Sequence, residues 1–141
     1  MHPSTLLLTH AAATWFLTGL IWMVQTVHYP LFARVGAAGY REYQSAHQSL
    51  IALVVGPAML VEAGTGALLL LGRRDAWTIT GVALLVVIWA STAFLQVPMH
   101  NALAGGFDAD AHRQLVQTNW VRTAAWTARG FLALYLLRAT E

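Results

Sequence analysis

Four apolar segments, residues 6–28, 50–71, 77–98 and 115–137, alternate with short polar breaks along the chain. Each runs to about 20 residues, which at a rise of about 1.5 Å per residue matches a hydrocarbon layer about 30 Å thick. Helices satisfy their own backbone polar groups where no water reaches them. The sequence therefore predicts an all-α integral membrane four-helix bundle, up-down-up-down, as a single domain over 1–141. Its helices are expected at approximately 6–28, 41–71, 77–99 and 113–137. Composition agrees, since only 10% of residues are charged where a soluble domain carries about 25%. The first segment has no basic start and is longer than the apolar core of a secretion signal, so it reads as a retained helix.

The lipid bilayer is thus the first partner the sequence implies. Nucleic acid is excluded: the eight basic residues, all arginine, are dispersed and leave a net charge of only +2. With no cysteine, disulfides, thiolate metal sites and thiol nucleophiles are excluded as well. An even number of spans puts both termini on one side together with the Arg73-Arg74 loop and Arg138, while Arg34, Arg41 and Arg113 lie on the other. The count is three against three, and the tight Arg73-Arg74 pair is what leads to the expectation that this loop and both termini are cytoplasmic.

Polar residues recur at the ends of the greasy runs. QTVHYPLF, 25–32, is echoed by QVPMHNAL, 96–103, and the interval from His28 to His47 equals that from His100 to Asn119. One reading is a pair of related helical hairpins. The clustering needs only the topology, which brings His28, His47, His100 and Asn119 to one membrane face. Neutral imidazole is a common ligand for zinc, copper or iron, and haem takes one or two axial histidines. These four residues are accordingly the candidate metal ligands. Gln25 and Gln96 are candidates to hold the ring tautomers by hydrogen bonding. No closed motif of the HExxH kind fixes a metal, and the cofactor stays open between a transition metal and a haem. Imidazole also suits proton transfer, its ordinary pKa of about 6.5 lying near working pH. His2, His10 and His112 read as ordinary interfacial residues with a wet edge.

The last segment reads QTNWVRTAAWTARG, in which Asn119, Arg122, Trp126 and Arg129 form one helical stripe. Each arginine at mid-bilayer costs at least about 2.5–3.5 kcal/mol, so the stripe should face protein. Counting rises from the histidine level puts Arg129 about 15 Å deep and Glu62 about 22 Å deep, within reach of a structural ion pair. Arg122, about 4–5 Å deep, has no acid at its level. It either snorkels to headgroups or meets a ligand's carboxylate, phenolate or propionate, with Trp22, Trp89 and Trp126 as candidate pocket walls. Trp120 reads as an interfacial anchor. Pro30 is expected to help end the first helix, and Pro57 and Pro98 to break theirs locally. Gly64-x-Gly66 is expected to allow close helix packing.

HYPLFARVG, LQVPMHNAL and NWVRTAAWTARG resemble the small four-helix bacterial membrane proteins grouped with the fungal anthrone oxygenases. That resemblance spans nearly the whole chain and implies a membrane-embedded oxidoreductase acting on a flat phenolic or polycyclic substrate. His28, His100, Asn119, Arg122 and Arg129 carry it. A fainter resemblance, in YPLF followed by REYQSAHQSLIALVVGPAML, is to the HemJ-type protoporphyrinogen oxidases, whose arginine-proline ending is missing from LLRATE. The expectation is therefore an oxidoreductase for a hydrophobic aromatic small molecule, with His28, His100 and Arg122 catalytic. The alternative is a structural or accessory subunit of a larger membrane complex. A transporter of four helices would need to assemble as a homo-oligomer.

Overall fold

The computed structural model describes residues 3–139, so His2 lies outside the described residues. Among these the chain forms four helical rods: α1 (3–34), α2 (Tyr40–Gly72), α3 (Ala76–Ala104) and α4 (Ala109–Arg138). The first, second and third are long and apolar enough to cross a membrane. The fourth, expected to be a span of the same kind, is not among them. Its Asn119, Arg122, Thr123 and Arg129 lower its hydropathy, and all four are buried.

Neither proline at a Gln/His motif stops its helix. In α1 the α-helix Pro3–Met23 widens into a π turn, Val24–His28, and continues past Pro30 to a 3-10 turn, Phe32–Arg34. In α3 a π turn, Thr92–Gln96, precedes Pro98 in the same way. Proline lacks an N–H and crowds the carbonyl four residues back, and a widened turn accommodates both without ending the rod. The two rods consequently extend beyond their expected ends near 28 and 99. Pro57 lies within an unbroken α2.

Short loops are fixed by capping. Asp75 opens α3 by accepting the Thr78 backbone N–H at 2.9 Å, and Arg73 Nε lies 2.7 Å from its other carboxylate oxygen. Asp108 opens α4 by accepting the N–H groups of Asp110 and Ala111 at 2.9 and 2.8 Å. Between α3 and α4, Gly106 adopts φ 141°, a conformation that only glycine takes readily. Arg41 ties the start of α2 to this loop by donating to the Gly105 carbonyl at 2.7 Å.

α1 packs against α2 and α4, and α4 packs against α3. Close approach is built on glycine. A Cβ on Gly130 would sit 3.2 Å from the Trp15 ring, and one on Gly81 would sit 3.1 Å from Leu132. In α2 the close approach is at Gly66, against His10 and Leu85. Gly64, expected to share this role, faces open space.

A buried polar network joins all four rods at the end far from the Gln/His motifs. Glu62 accepts Arg129 Nε at 3.1 Å and Thr14 Oγ1 at 2.9 Å on one oxygen, and Trp126 Nε1 at 3.0 Å on the other. Arg129 also donates to the Gly81 carbonyl and, at 3.4 Å, to His10 Nε2. Because that nitrogen accepts, the His10 proton sits on Nδ1, 2.8 Å from Thr65 Oγ1. His10 is therefore a buried member of this network rather than an interfacial residue, since α1 turns it toward α2.

Candidate active site

The widened turn in α1 decides which side chains enter the protein. A π turn holds one more residue than an α turn and so rotates everything that follows it. Gln25 and Tyr29 become buried, while His28 is left half-buried at the boundary with α2. On α2, Gln44, His47 and Gln48 share one face by helical spacing. His100 enters from α3 just beyond its own π turn, and Arg122 enters from the stripe on α4.

These groups converge on the Tyr29 hydroxyl. His100 Nε2 lies 2.9 Å from Tyr29 Oη, and Arg122 Nη2 donates to the same oxygen at 3.2 Å. Gln44 Nε2 is 2.9 Å from His100 Nδ1. An amide N–H donates, so Nδ1 accepts and the ring proton sits on Nε2, facing the phenol. Tyr29 thus receives one neutral donor and one cationic donor. Gln48 Nε2 donates to the His100 carbonyl at 3.1 Å and fixes that stretch of α3.

Arg122 is nearly buried and makes no ion pair among the described residues. Its guanidinium donates to Asn119 Oδ1 through Nε at 2.9 Å and through Nη2, and reaches Thr92 Oγ1 at 3.4 Å. Asn119 Nδ2 in turn donates to Gln25 Oε1 at 2.8 Å, and Gln25 Nε2 donates to the Val116 carbonyl at 3.1 Å. The positive charge is held in place by neutral dipoles, which orient it without neutralising it.

A second pair lies beside this centre. His47 Nδ1 and His28 Nε2 are 2.8 Å apart, and the His47 and His100 rings have centroids 5.4 Å apart. His47 Nε2 is buried with no hydrogen-bond partner. The ring lines a groove of about 500 Å³ between α2 and α3, together with Tyr29, His100, Arg122, Trp89 and Met59. That volume suits a small-molecule site. His47 also lines a recess of about 380 Å³ on its other side, shared with His28, Tyr43 and Leu50.

The expected metal set is not assembled. Among the described residues no three His, Cys, Asp or Glu side chains are placed to hold an ion. Both His100 nitrogens are engaged by Gln44 and Tyr29, and Asn119 is committed to Gln25 and Arg122. Neither Gln25 nor Gln96 holds an imidazole. Gln96 Nε2 donates to Thr118 Oγ1 at 3.0 Å, and the tautomer-holding amide is Gln44. His28, expected to be catalytic, borders the recess and reaches the groove only through His47.

Of the three tryptophans expected to wall a pocket, Trp89 does so. Trp22 points outward, its indole on Thr127 Oγ1 at 3.0 Å and edge-on to Trp120, and Trp126 is consumed by Glu62 in the core. His112, read as an interfacial residue with a wet edge, belongs to the start of α4, where its Nε2 meets the Tyr29 carbonyl at 2.8 Å. Tyr29, Gln44, Gln48 and Thr92 were not singled out by the sequence. The pattern QSAHQ, which puts two amides on the face of His47, was the available signal for two of them.

No family model, curated protein or solved structure matches this chain.

Proposed function

We propose that the protein is a membrane-embedded oxidoreductase that takes a hydrophobic aromatic ketone or phenol from the bilayer into the groove between α2 and α3. The observation that carries this reading is Arg122, a buried cation with no acid beside it, aimed with Tyr29 at the polar end of that groove. A buried unpaired charge is costly, and a ligand oxygen that gathers negative charge is its natural complement. The Tyr29 oxygen already receives His100 and Arg122, so its own O–H is free to donate to that ligand oxygen.

His47 Nε2 supplies the base. With Nδ1–H donating to His28, Nε2 keeps a lone pair that no hydrogen bond uses, on a ring that lines the groove. Removal of the activated methylene C–H of such a ketone by His47, with the oxygen held by Tyr29 and Arg122, gives a delocalised aryl oxide. Dioxygen dissolved in the bilayer can oxidise that anion. For a methylene beside two aromatic rings the overall change is one O2 consumed, the methylene converted to a carbonyl and one water released. The chain's own share is binding, orientation and proton transfer.

Three apolar rods and a fourth that buries its polar stripe support an up-down-up-down bundle crossing the membrane as a whole. Its partners are then lipid and a lipid-soluble substrate, and the Arg73-Arg74 turn with both termini is assigned to the cytoplasm.

The test uses purified protein in mild detergent with anthrone in air, following anthraquinone by absorbance alongside oxygen uptake. Wild type should exceed the detergent blank. Arg122→Gln and His47→Gln should each lower the excess by about 10²-fold or more. Oxidation no faster than the blank across a series of enolisable aromatic ketones would favour a structural or accessory role.

A further inference from the structure

The groove is far longer than an aromatic head requires, and its α2 wall is polar at one end only, while on α3 Gln96 and Thr92 spend their donors on Thr118 Oγ1 and the Ile88 carbonyl. Two rows, each of residues spaced by four, line it on α2: His47, Ile51, Val55 and Met59, and beside them Gln48, Ala52, Gly56 and Leu60. From Gln48 to Leu60 the helix rises about 18 Å, and the α3 wall from Asn101 to Trp89 covers the same number of residues. Polar side chains crowd one end. Beyond Ile51 the α2 wall carries none, and a Cβ on Gly56 would meet nothing within 4 Å, so the apolar half is open at that point.

We infer that this groove takes a single-tailed amphiphile, an aromatic ketone or phenol carried on a long apolar chain, with the ring at Tyr29 and Arg122 and the chain lying along α2 toward Leu60 and Trp89. The inference rests on the reading above for the ring end, and adds the tail. A ring alone would leave the apolar half of the α2 wall to water or to a bilayer acyl chain. A tail joined to the ring fills it without a second molecule having to be ordered. The apolar chain could come from the ligand itself or from membrane lipid, and binding as a function of tail length separates the two.

The experiment measures binding of 4-ethylphenol and 4-decylphenol, in one detergent, to wild type, Gly56→Phe, Ala52→Phe and Arg122→Gln. Comparing variants at fixed detergent cancels the partitioning of each probe into micelles. Gly56→Phe should weaken 4-decylphenol by about tenfold or more while leaving 4-ethylphenol within about twofold. Ala52→Phe, on the adjacent turn of the same row, should act alike and decides the matter if the first variant does not fold. Arg122→Gln should weaken both probes. Tail-blocking variants that affect both probes equally, or neither, while Arg122→Gln still weakens both, would assign the apolar half to membrane lipid and overturn the tail alone. Indifference of both probes to Arg122→Gln would overturn the ring end, and the inference with it.

Discussion

His28 Nε2 and His47 Nδ1 meet at 2.8 Å, and through this contact the groove between α2 and α3 communicates with the recess on the other side of His47. The His47 ring lines the groove and the His28 ring is half-exposed. A proton taken up at His47 Nε2 can be matched by release of the Nδ1 proton to His28, so the base is reset from outside the groove. His28→Gln should therefore slow turnover by about tenfold while leaving the affinity for substrate unchanged. His47→Gln should cost much more. Added imidazole should restore part of the rate to His28→Gln and none to His47→Gln. Equal losses without rescue would remove the relay.

Glu62 anchors the opposite end. Replacing it by Ala strands Arg129 in a site where both side chains are almost fully buried, at an expected cost of about 3–5 kcal/mol. Thermal unfolding in detergent should register this as a large drop in midpoint. Glu62→Ala combined with Arg129→Met removes the stranded charge and should recover much of the loss. A single variant as stable as wild type would show that the pair does not hold the rods together.

Glycine positions give a contrast within one protein. Gly130→Ala forces a Cβ to within 3.2 Å of the Trp15 ring and should destabilise by about 1–3 kcal/mol. Gly64→Ala enters open space within a helix and should be neutral or stabilising by up to about 1 kcal/mol. The unfolding midpoint of Gly130→Ala should fall, and that of Gly64→Ala should stay level or rise.

Acid stability reports on the turn between α2 and α3. The Thr78 N–H and then the Arg73 side chain hold the Asp75 carboxyl down, from an ordinary 3.8 to about 2. A group whose pKa is lowered by folding contributes stability above its unfolded value and loses it as pH falls through the folded one. The contribution from Asp75 is complete above about pH 4 and gone below about pH 2. Asp75→Asn keeps a capping oxygen but cannot titrate. Its unfolding midpoint should fall less steeply than that of wild type across this window, and parallel curves would contradict the assignment.

How far the sequence could be read follows from which properties are linear. Helix length and depth are simple multiples of the rise per residue, so the four rods and the meeting of Glu62 with Arg129 could be anticipated by counting. The interval between His28 and His47 likewise suits one turn-back between neighbouring rods. Azimuth is different. Two π turns rotate the ends of α1 and α3, sending Tyr29 inward and leaving His28 at the rim, and no count of residues reveals them. Trp22 and Trp126 illustrate the same point, since only the direction of each side chain separates a membrane anchor from a core residue. His10 escaped because its partners, Thr65 and Arg129, are distant in sequence.

On the proposed function an uncompensated Arg122, with Tyr29, binds an aromatic oxygen as it gains negative charge. An alkyl-tailed 4-nitrophenol tests it directly, because its ionised and neutral forms differ in visible absorbance. At a pH well below the probe's own pKa, wild type should bind it as the yellow phenolate, and Arg122→Gln should bind it more weakly and as the colourless phenol. A probe that stays neutral in wild type, or that ionises equally in both proteins, would contradict the account.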